Sequence, residues 1–443
     1  MFDVSIVNAS FSVKNPYIPI GPLIVVSKLE EQGLKVEFKD YQLIKSEASD
    51  PKSISELLLE LKSKIICIGV FANYLPLILK AVDILKETNP ELIIVLAGPG
   101  VAKISDEIFN LSRIDIVIRG EGEITTPLLV KKLISNSSLS EIEGISYRCK
   151  NKIIHNADRQ NLKCIDVYPS YNHIELKDYD NKATIITSRG CAYNCMFCSK
   201  PIWEKGVVYR SLENVFEEIK QLKFKVNRIY FCDDAFIVNK KRLFEFCRIY
   251  KELNINIPWE CTGRVGCMDE ELLEVIRSAG CDTLYVGIES GSNVVLEKLN
   301  KKISIEQARE EVNLAKRYMK RIYTSYIWGF PFETLEDFNQ TIFNYLSDSI
   351  DHNLRPVLNL ATPFIASKLY DEYKDKLAFM EDNIYNGSTI NMDYTKDYED
   401  VKEFIIENKK IFSSFFYIEH QAFYDKKKIV DKLLNRYKEK DYV

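Results

Sequence analysis

The 443-residue sequence lacks an uninterrupted apolar stretch of about 20 residues, the length that a membrane-spanning helix requires. It also lacks a charge bias, because 60 Lys and Arg stand against 64 Asp and Glu, for a net charge of −4. Without a basic surface there is no electrostatic basis for binding nucleic acid. The first residues lack the basic segment that opens a signal peptide. We therefore expect a cytoplasmic protein with no membrane span and no nucleic-acid partner.

Histidine is scarce, with 4 in the chain, and the first of them is His155. The 11 cysteines are an odd number in a chain of this length, which favours a reducing compartment over a disulfide framework. No cysteine follows Cys281, and only Cys67 precedes Cys149. A site that needs several cysteines is therefore excluded from both ends of the chain.

The central part of the chain does contain a compact cysteine group. Cys191, Cys195 and Cys198 have the spacing C-x3-C-x2-C and follow the β-branched run 183–187, which predicts a strand that ends in a loop. Thiolates suit iron and sulfide, and three of them leave one iron of a 4Fe-4S cluster open. A structural zinc site prefers four ligands in two C-x2-C pairs, and a thioredoxin motif is a single pair. Both of these alternatives fit the triplet less well.

Residues 1–145 alternate short apolar runs with amphipathic stretches, which predicts a doubly wound, Rossmann-like α/β domain with a parallel sheet. Two glycine turns follow predicted strands of this domain, one with Gly98 and Gly100 and one with Gly120 and Gly122. Parallel sheets bind ligands at these strand ends, although tight turns also require glycine for steric reasons alone.

Strand–helix alternation resumes after a connector at residues 146–180. Six such units predict a partial (β/α)6 barrel over residues 181–370, and a small α-rich C-terminal region follows at 371–443. Polar residues follow several of the predicted barrel strands, where barrels place their chemistry. These residues are Asp233, Asp234, Arg264, Glu289 and Ser290.

The cysteine triplet, with Phe197 before its last cysteine, resembles the signature of the radical S-adenosylmethionine (radical SAM) enzymes. GIESG at Gly287–Gly291 and WGFPFET at Trp328–Thr334 resemble further motifs of this family, in the same order. The glycine turns, of which residues 119–123 spell RGEGE, resemble the cobalamin-binding domain that precedes the barrel in a large radical SAM subgroup.

This resemblance implies a 4Fe-4S cluster whose open iron binds the amino and carboxylate groups of SAM. One electron from the cluster then cleaves SAM to methionine and a 5'-deoxyadenosyl radical. An Asp after the second strand would accept hydrogen bonds from the SAM ammonium, and Arg264 would pair with the SAM carboxylate. The expected cofactor contacts in the barrel are Phe197, Asp233, Asp234, Arg264, Glu289 and Ser290.

The resemblance also implies cobalamin in the first domain, near Gly98, Gly100, Gly120 and Gly122. The usual D-x-H-x-x-G motif is absent, so cobalamin would be held without an axial His from this domain. The expected partners are an external one-electron donor, such as flavodoxin or ferredoxin, and a small-molecule or peptide substrate that the sequence does not specify.

Three functions are compatible with these features. The first is cobalamin-dependent methylation of an unactivated carbon or of phosphorus. The second keeps the cluster and SAM but not cobalamin, as in a dehydratase, epimerase, cyclase or rearrangement enzyme, in which Cys232 or Cys261 would donate hydrogen. The third is a non-enzymatic iron–sulfur or zinc protein. We expect the first.

Overall fold

The structure is a computed structural model that describes residues 2–11, 16–44, 50–150, 152–160, 162, 164–199, 206–379 and 399–438. The first part of the chain alternates strands and helices: β1 Val4–Asn8, α1 Ile20–Glu31, β2 Val36–Asp40, α2 Pro51–Leu59, β3 Ile65–Gly69, α3 Leu75–Thr88, β4 Ile93–Ala97, α4 Ser105–Leu111, β5 Ile116–Ile118, α5 Gly122–Ile134, β6 Ile145–Cys149 and β7 Lys152–His155.

Within the described ranges these strands form one seven-stranded sheet in the order β2-β1-β3-β4-β5-β6-β7. Strands β1 to β5 pair in parallel, as the sequence predicts for a doubly wound domain. The hairpin β6–β7 pairs antiparallel with β5, so it extends this sheet and covers its edge. The sheet therefore continues into the segment predicted as a connector.

The second part of the chain begins with β8 and contains a second sheet. Its elements are β8 Lys182–Ile185, β9 Ser188–Arg189, β10 Val208–Tyr209, α6 Leu212–Leu222, β11 Arg228–Phe231, α7 Lys240–Glu252, β12 Trp259–Gly263, α8 Glu270–Ser278, β13 Cys281–Glu289, α9 Asn293–Lys298, α10 Ile305–Ala315, β14 Arg321–Trp328, α11 Leu335–Ser349 and β15 Leu354–Leu360.

Six of these strands pair in parallel in the order β15-β14-β13-β12-β11-β8. Over the described residues no ladder joins β8 to β15, so the sheet is an open, partial barrel, as predicted. Side-chain caps fix where its helices begin: the Ser211 hydroxyl accepts from the Asn214 amide, and Thr334 forms a capping box with Asp337. Because the six strands are parallel, their carboxyl ends all lie on one edge of the sheet.

The C-terminal segment contains α12 Lys368–Tyr373, β16 Leu377–Phe379, α13 Lys402–Glu407, β17 Phe416–Ile418 and α14 Phe423–Lys438. It packs on the barrel through stacked rings: Phe423 lies 5.5 Å from Trp328 and 3.9 Å from Tyr417, between ring centroids. A salt bridge of 3.0 Å between Lys426 and Glu333 is fully buried beside them. None of the described helices has the length and apolar character needed to cross a membrane.

One apolar core joins the first domain, the barrel and the C-terminal segment. It contains Ile78 of α3, Met196 of the cysteine loop, Phe330 after β14 and Phe412 before β17. A smaller core packs α1 and the connector against Ile186 and Cys232 of the barrel. Because burial of shared apolar area stabilises all contributing segments together, the two sheets and the C-terminal segment form one packed unit.

Candidate cofactor and active site

The cysteine loop leaves the partial barrel directly after β8 and β9. The side chains of Cys191, Cys195 and Cys198 are all partly exposed. The Cys198 amide donates to the Cys195 carbonyl over 3.1 Å, which closes a tight turn between two of the thiols. The loop therefore presents three thiols from a short stretch of backbone, as the spacing predicts.

Backbone hydrogen bonds hold the middle of this loop in place. The Met196 amide donates to the Leu299 carbonyl, and the Leu369 amide donates to the Met196 carbonyl, each over 2.9 Å. The Asn300 side chain donates to the Asn194 carbonyl over 3.0 Å. These bonds come from two segments, the end of α9 and the start of α12, and the Met196 side chain, which is 7% exposed, adds a third anchor by packing in the shared core.

Asp233 fixes the entry to the loop. Its two carboxylate oxygens accept from the Thr187 amide over 2.6 Å, from the Thr187 hydroxyl over 2.6 Å and from the Ser188 hydroxyl over 2.5 Å. The side chain is 2% exposed, and burial raises the pKa of Asp233, although these hydrogen bonds oppose the rise. Asp233 thus positions the loop, whereas Asp234 is partly exposed at the same strand end. A SAM contact from either carboxylate stays a prediction.

The two cysteines considered as hydrogen donors lie in apolar surroundings. Cys261 is fully buried among barrel core residues, and burial raises the pKa of its thiol. Cys232 packs against the small core beside α1, where its thiol lies 3.6 Å from the Ile185 carbonyl oxygen, and burial raises its pKa as well. Neither environment favours a thiolate, and Cys261 in particular is directed into the helix-covered core.

Arg264 lies at the end of β12 against the cysteine loop. The centre of its guanidinium lies 3.4 Å from the ring centroid of Tyr193, a cation–π contact. Its Nη2 donates to the Lys301 carbonyl over 2.8 Å. Arg264 therefore lies against the loop, where part of its hydrogen-bonding capacity is already used by the protein, and its contact with the SAM carboxylate stays a prediction.

Glu289 ends β13 in a strained conformation. Its φ of 74° lies in the left-handed region, at a register shift between β13 and β14. Its carboxylate forms a buried pair of 2.6 Å with Lys301, whose Nζ lies 5.9 Å from the ring centroid of Phe197. A Cβ on Gly287 would lie 2.2 Å from the Glu289 carboxylate, so any larger residue there would displace this carboxylate. Strain of this kind clusters at functional sites, which supports a role for Glu289 in the cofactor site.

Ser290 has a structural environment. Its side chain is 0% exposed, lies 3.1 Å from the Thr341 hydroxyl and accepts from the Ser292 amide over 3.1 Å. These contacts tie the end of β13 to α11. A contact of Ser290 with SAM stays a prediction that this arrangement does not favour.

The first glycine turn of the N-terminal domain allows two strand-end loops to approach closely. A Cβ on Gly98 would lie 2.7 Å from the Val70 carbonyl oxygen, and one on Gly100 would lie 2.6 Å from the Ala72 amide nitrogen. Both glycines are therefore required by backbone packing, which is the steric alternative considered above. Phe71, in the neighbouring loop, is 43% exposed, so an apolar face remains open at this edge of the sheet.

The second glycine turn contacts the barrel. Arg189, two residues before Cys191, forms ion pairs through Nη1 with Glu121 and, over 2.5 Å, with Glu123. These carboxylates flank Gly122, and a Cβ on Gly120 would meet no atom within 4 Å, although its φ of 95° favours glycine. The turn thus joins the N-terminal domain to the cysteine loop.

The donor set suits the cofactors that the resemblance implies. Three cysteines in one loop fit a cluster with an open iron, although among the described residues no three Cys, His, Asp or Glu side chains are already gathered as metal ligands. The described histidines offer no axial ligand from the first sheet, since His155 is held by Ser146 and Asp106. The edge with Phe71 and the glycine turns fits a large, partly apolar ligand.

A parallel sheet with a glycine-rich ligand edge, joined by ion pairs to a three-cysteine loop on a partial barrel, defines an enzyme scaffold for two cofactors. The barrel matches the radical SAM superfamily over residues 185–343, and the first domain matches the B12 binding domain over residues 8–130. The chain therefore contains a radical SAM domain preceded by a B12-binding domain.

Two curated relatives and one solved structure illustrate this likeness. The chain is 32% identical to an uncharacterized methyltransferase of Pyrococcus horikoshii, over 65% of this chain and 64% of that protein. It is 26% identical to the anaerobic magnesium-protoporphyrin IX monomethyl ester cyclase of Rubrivivax gelatinosus, over 70% and 58%. The fold is similar, with a TM-score of 0.70 and 16% identity, to radical SAM methyltransferase TsrM of Kitasatospora setae with cobalamin and a 4Fe-4S cluster bound, over 84% of this chain and 74% of that one. The chain thus spans less than two thirds of the two curated relatives' lengths.

Sequence reasoning missed several residues of the site. Arg189 precedes Cys191 by two residues, but its pairing with Glu121 and Glu123 is a tertiary contact between distant segments. Lys301 has no local sequence signal, because the positive φ of Asn300 and Lys302 on either side of it is visible only in the structure. Only the folded chain brings these residues together.

Proposed function

We propose that the protein is a cobalamin-dependent radical SAM methyltransferase acting on an unactivated carbon, or on phosphorus, of its substrate. The observation that carries the proposal is the ion-paired contact of Arg189 with Glu121 and Glu123. Through it, the loop that would hold a cluster is joined directly to the domain that would hold cobalamin. A shared contact of this kind suits a reaction that uses both cofactors on one substrate.

Each cofactor has residues that suit it. Cys191, Cys195 and Cys198 would hold the cluster. Asp234, Arg264 and Glu289 would contact SAM, and the glycine turns would border cobalamin. When bound, these groups supply a carbon-centred radical and a transferable methyl group.

The chain's own contribution is to fix positions and exclude solvent. Asp233 holds the start of the cysteine loop, and Arg264 packs on Tyr193 within it. The Met196 side chain packs in the shared core on one side of the loop and so excludes solvent from that side. Reactive groups held in fixed geometry and away from water react with the intended partner rather than with solvent. The electron itself would come from an external donor such as flavodoxin or ferredoxin, in the cytoplasm.

The first experiment tests cofactor content. Protein prepared without oxygen and supplied with iron, sulfide and cobalamin should show the absorbance of both a cluster and a corrinoid. Replacing Cys191, Cys195 or Cys198 by Ala should remove the iron, whereas Cys149→Ala, at an exposed cysteine in β6, should not. Protein that takes up a cluster but never binds cobalamin would refute the proposal.

The second experiment tests the reaction class. With dithionite and SAM, a methyltransferase of this kind yields both 5'-deoxyadenosine and S-adenosylhomocysteine. The likeness to a cyclase favours, as a second candidate, a radical reaction without methyl transfer. That candidate predicts 5'-deoxyadenosine without S-adenosylhomocysteine.

A further inference from the structure

The ion pairs between Arg189 and the RGEGE turn connect the cysteine loop with the ligand edge of the first sheet. The three side chains are largely buried, with exposures of 25% for Arg189, 15% for Glu121 and 7% for Glu123. Hydrogen bonds between ionised groups are about twice as strong as neutral ones, and partial burial limits their screening by solvent. The contact therefore ties the position of Arg189 to that of the two carboxylates of the other domain.

The Arg189 end of this contact has little freedom. Ser188 and Arg189 form β9, which pairs with β10. Gly190 has a φ of 88°, and a Cβ there would lie 2.3 Å from the Gly206 carbonyl oxygen. Because the backbone around Gly190 is constrained, a change in the position of Arg189 also changes the position of Cys191, two residues later.

The carboxylate end is attached to two helices. Glu123 lies in the first turn of α5, and a Cβ on Gly122 would be in ordinary van der Waals contact with Val25 of α1. Since α1 and α5 pack together, the turn is placed by the two helices that flank the ligand edge of the first sheet. A ligand that orders this turn also orders the carboxylates that hold Arg189.

We propose that Arg189 is a positioning residue that couples the two cofactor sites, so that occupancy of the N-terminal site changes the environment of the cluster. This inference rests on the proposed function only in taking the N-terminal ligand to be a corrinoid. Coupling between two binding sites is reciprocal, so the cluster must favour cobalamin binding by the same factor by which cobalamin favours the cluster-loaded state. Since each ligand orders part of one contact, we expect the coupling to be positive.

The test measures cobalamin affinity with and without the cluster. In the unsubstituted protein, iron–sulfur reconstitution should tighten cobalamin binding by roughly tenfold, within the usual range of such couplings. Arg189→Gln should reduce this factor to less than twofold, and Arg189→Lys, which keeps the charge, should restore part of it. The double variant Glu121→Gln/Glu123→Gln should have the same effect from the other domain and should add nothing to Arg189→Gln. Lys132→Gln, at an exposed pair on the same helix, is the matched control.

A second readout does not depend on turnover. The electron paramagnetic resonance signal of the reduced cluster should change when cobalamin is added to the unsubstituted protein and should not change in Arg189→Gln.

Equal coupling in both proteins, or additive effects of the Arg189 and Glu substitutions, would overturn the inference. Binding of cobalamin without any coupling would overturn it while leaving the proposed function standing. Absence of cobalamin binding would defeat the proposed function itself. If Arg189→Gln does not accumulate as folded protein, Arg189→Lys and Glu123→Gln carry the same comparison.

Discussion

The buried pair of Lys426 and Glu333 determines how firmly the C-terminal segment is attached to the barrel. Both side chains are 0% exposed, and Lys426 Nζ also donates to the Glu333 carbonyl over 2.6 Å. Lys426→Met removes the ammonium and leaves a carboxylate in a site without water. Breaking a buried pair in this way costs about 3–5 kcal/mol. For the whole 443-residue chain unfolding as one packed unit, with an entropy of about 2.1 cal/mol/K per residue, this corresponds to a fall in melting temperature of ~3–6 °C.

The loss of stability caused by Lys426→Met should depend on pH, and its direction follows from the pKa of Glu333. Burial already raises the pKa of Glu333 above its ordinary 4.5, although Lys426 opposes the rise. Without Lys426 the pKa rises further, so the folded state keeps a proton that the unfolded state releases. The destabilisation by Lys426→Met should therefore grow as pH rises above the folded-state pKa that Glu333 has beside Lys426, which already lies above 4.5.

Thermal unfolding under anaerobic conditions at several pH values measures both effects. The double variant Glu333→Gln/Lys426→Met should recover most of the lost stability and abolish its pH dependence, because no buried charge remains. Lys428→Met, at an exposed pair with Asp425 of 3.7 Å, should cost less than about 1 kcal/mol. A loss below about 1 kcal/mol for Lys426→Met, or no recovery in the double variant, would refute this reasoning.

Four further predictions follow from single residues. Gly287→Ala places a Cβ 2.2 Å from the carboxylate of Glu289 and so displaces this carboxylate. SAM affinity measured by equilibrium dialysis should fall by at least about tenfold, while the iron content is unchanged. An unchanged affinity would mean that SAM binds elsewhere. Gly100→Ala brings a Cβ within 2.6 Å of backbone and should weaken cobalamin binding measured by absorbance titration. Gly21→Ala meets no atom within 4 Å in helix α1 and should raise stability by up to about 1 kcal/mol. Burial lowers the pKa of His420 from 6.5 to about 4, so the free energy of unfolding should decrease as pH falls from the higher to the lower of these values. His420→Gln should reduce this pH dependence, measured as melting temperature against pH.

The sequence predicts those parts of the site that are local in the chain. The spacing of Cys191, Cys195 and Cys198 after a β-branched run gives a loop at a strand end, and the order of strands gives the open barrel. The sequence also predicts that Asp233 and Ser290 follow strands. It does not show that Asp233 binds Thr187 and Ser188 or that Ser290 binds Thr341, because these partners come from other elements.

The direction of the side chains along β12 can be read from the sequence. Trp259 and Cys261 alternate with Glu260 and Thr262 along β12, and this alternation of apolar and polar residues indicates that Cys261 faces an apolar core, a signal that its selection as a hydrogen donor did not use. The structure assigns Cys261 to the helix-covered core. Lys301 illustrates a further limit, since its pairing with Glu289 depends on a left-handed backbone that no residue type announces.

The apolar core shared by Ile78, Phe330 and Phe412 has a consequence for biosynthesis. These residues come from three segments, so the part of this core that the C-terminal segment covers stays exposed on the ribosome until the segment with Phe412 has been translated. Uncovered apolar surface makes a nascent domain prone to aggregation and a client of chaperones. Truncation before residue 399 should accordingly produce insoluble protein even though both sheets are complete.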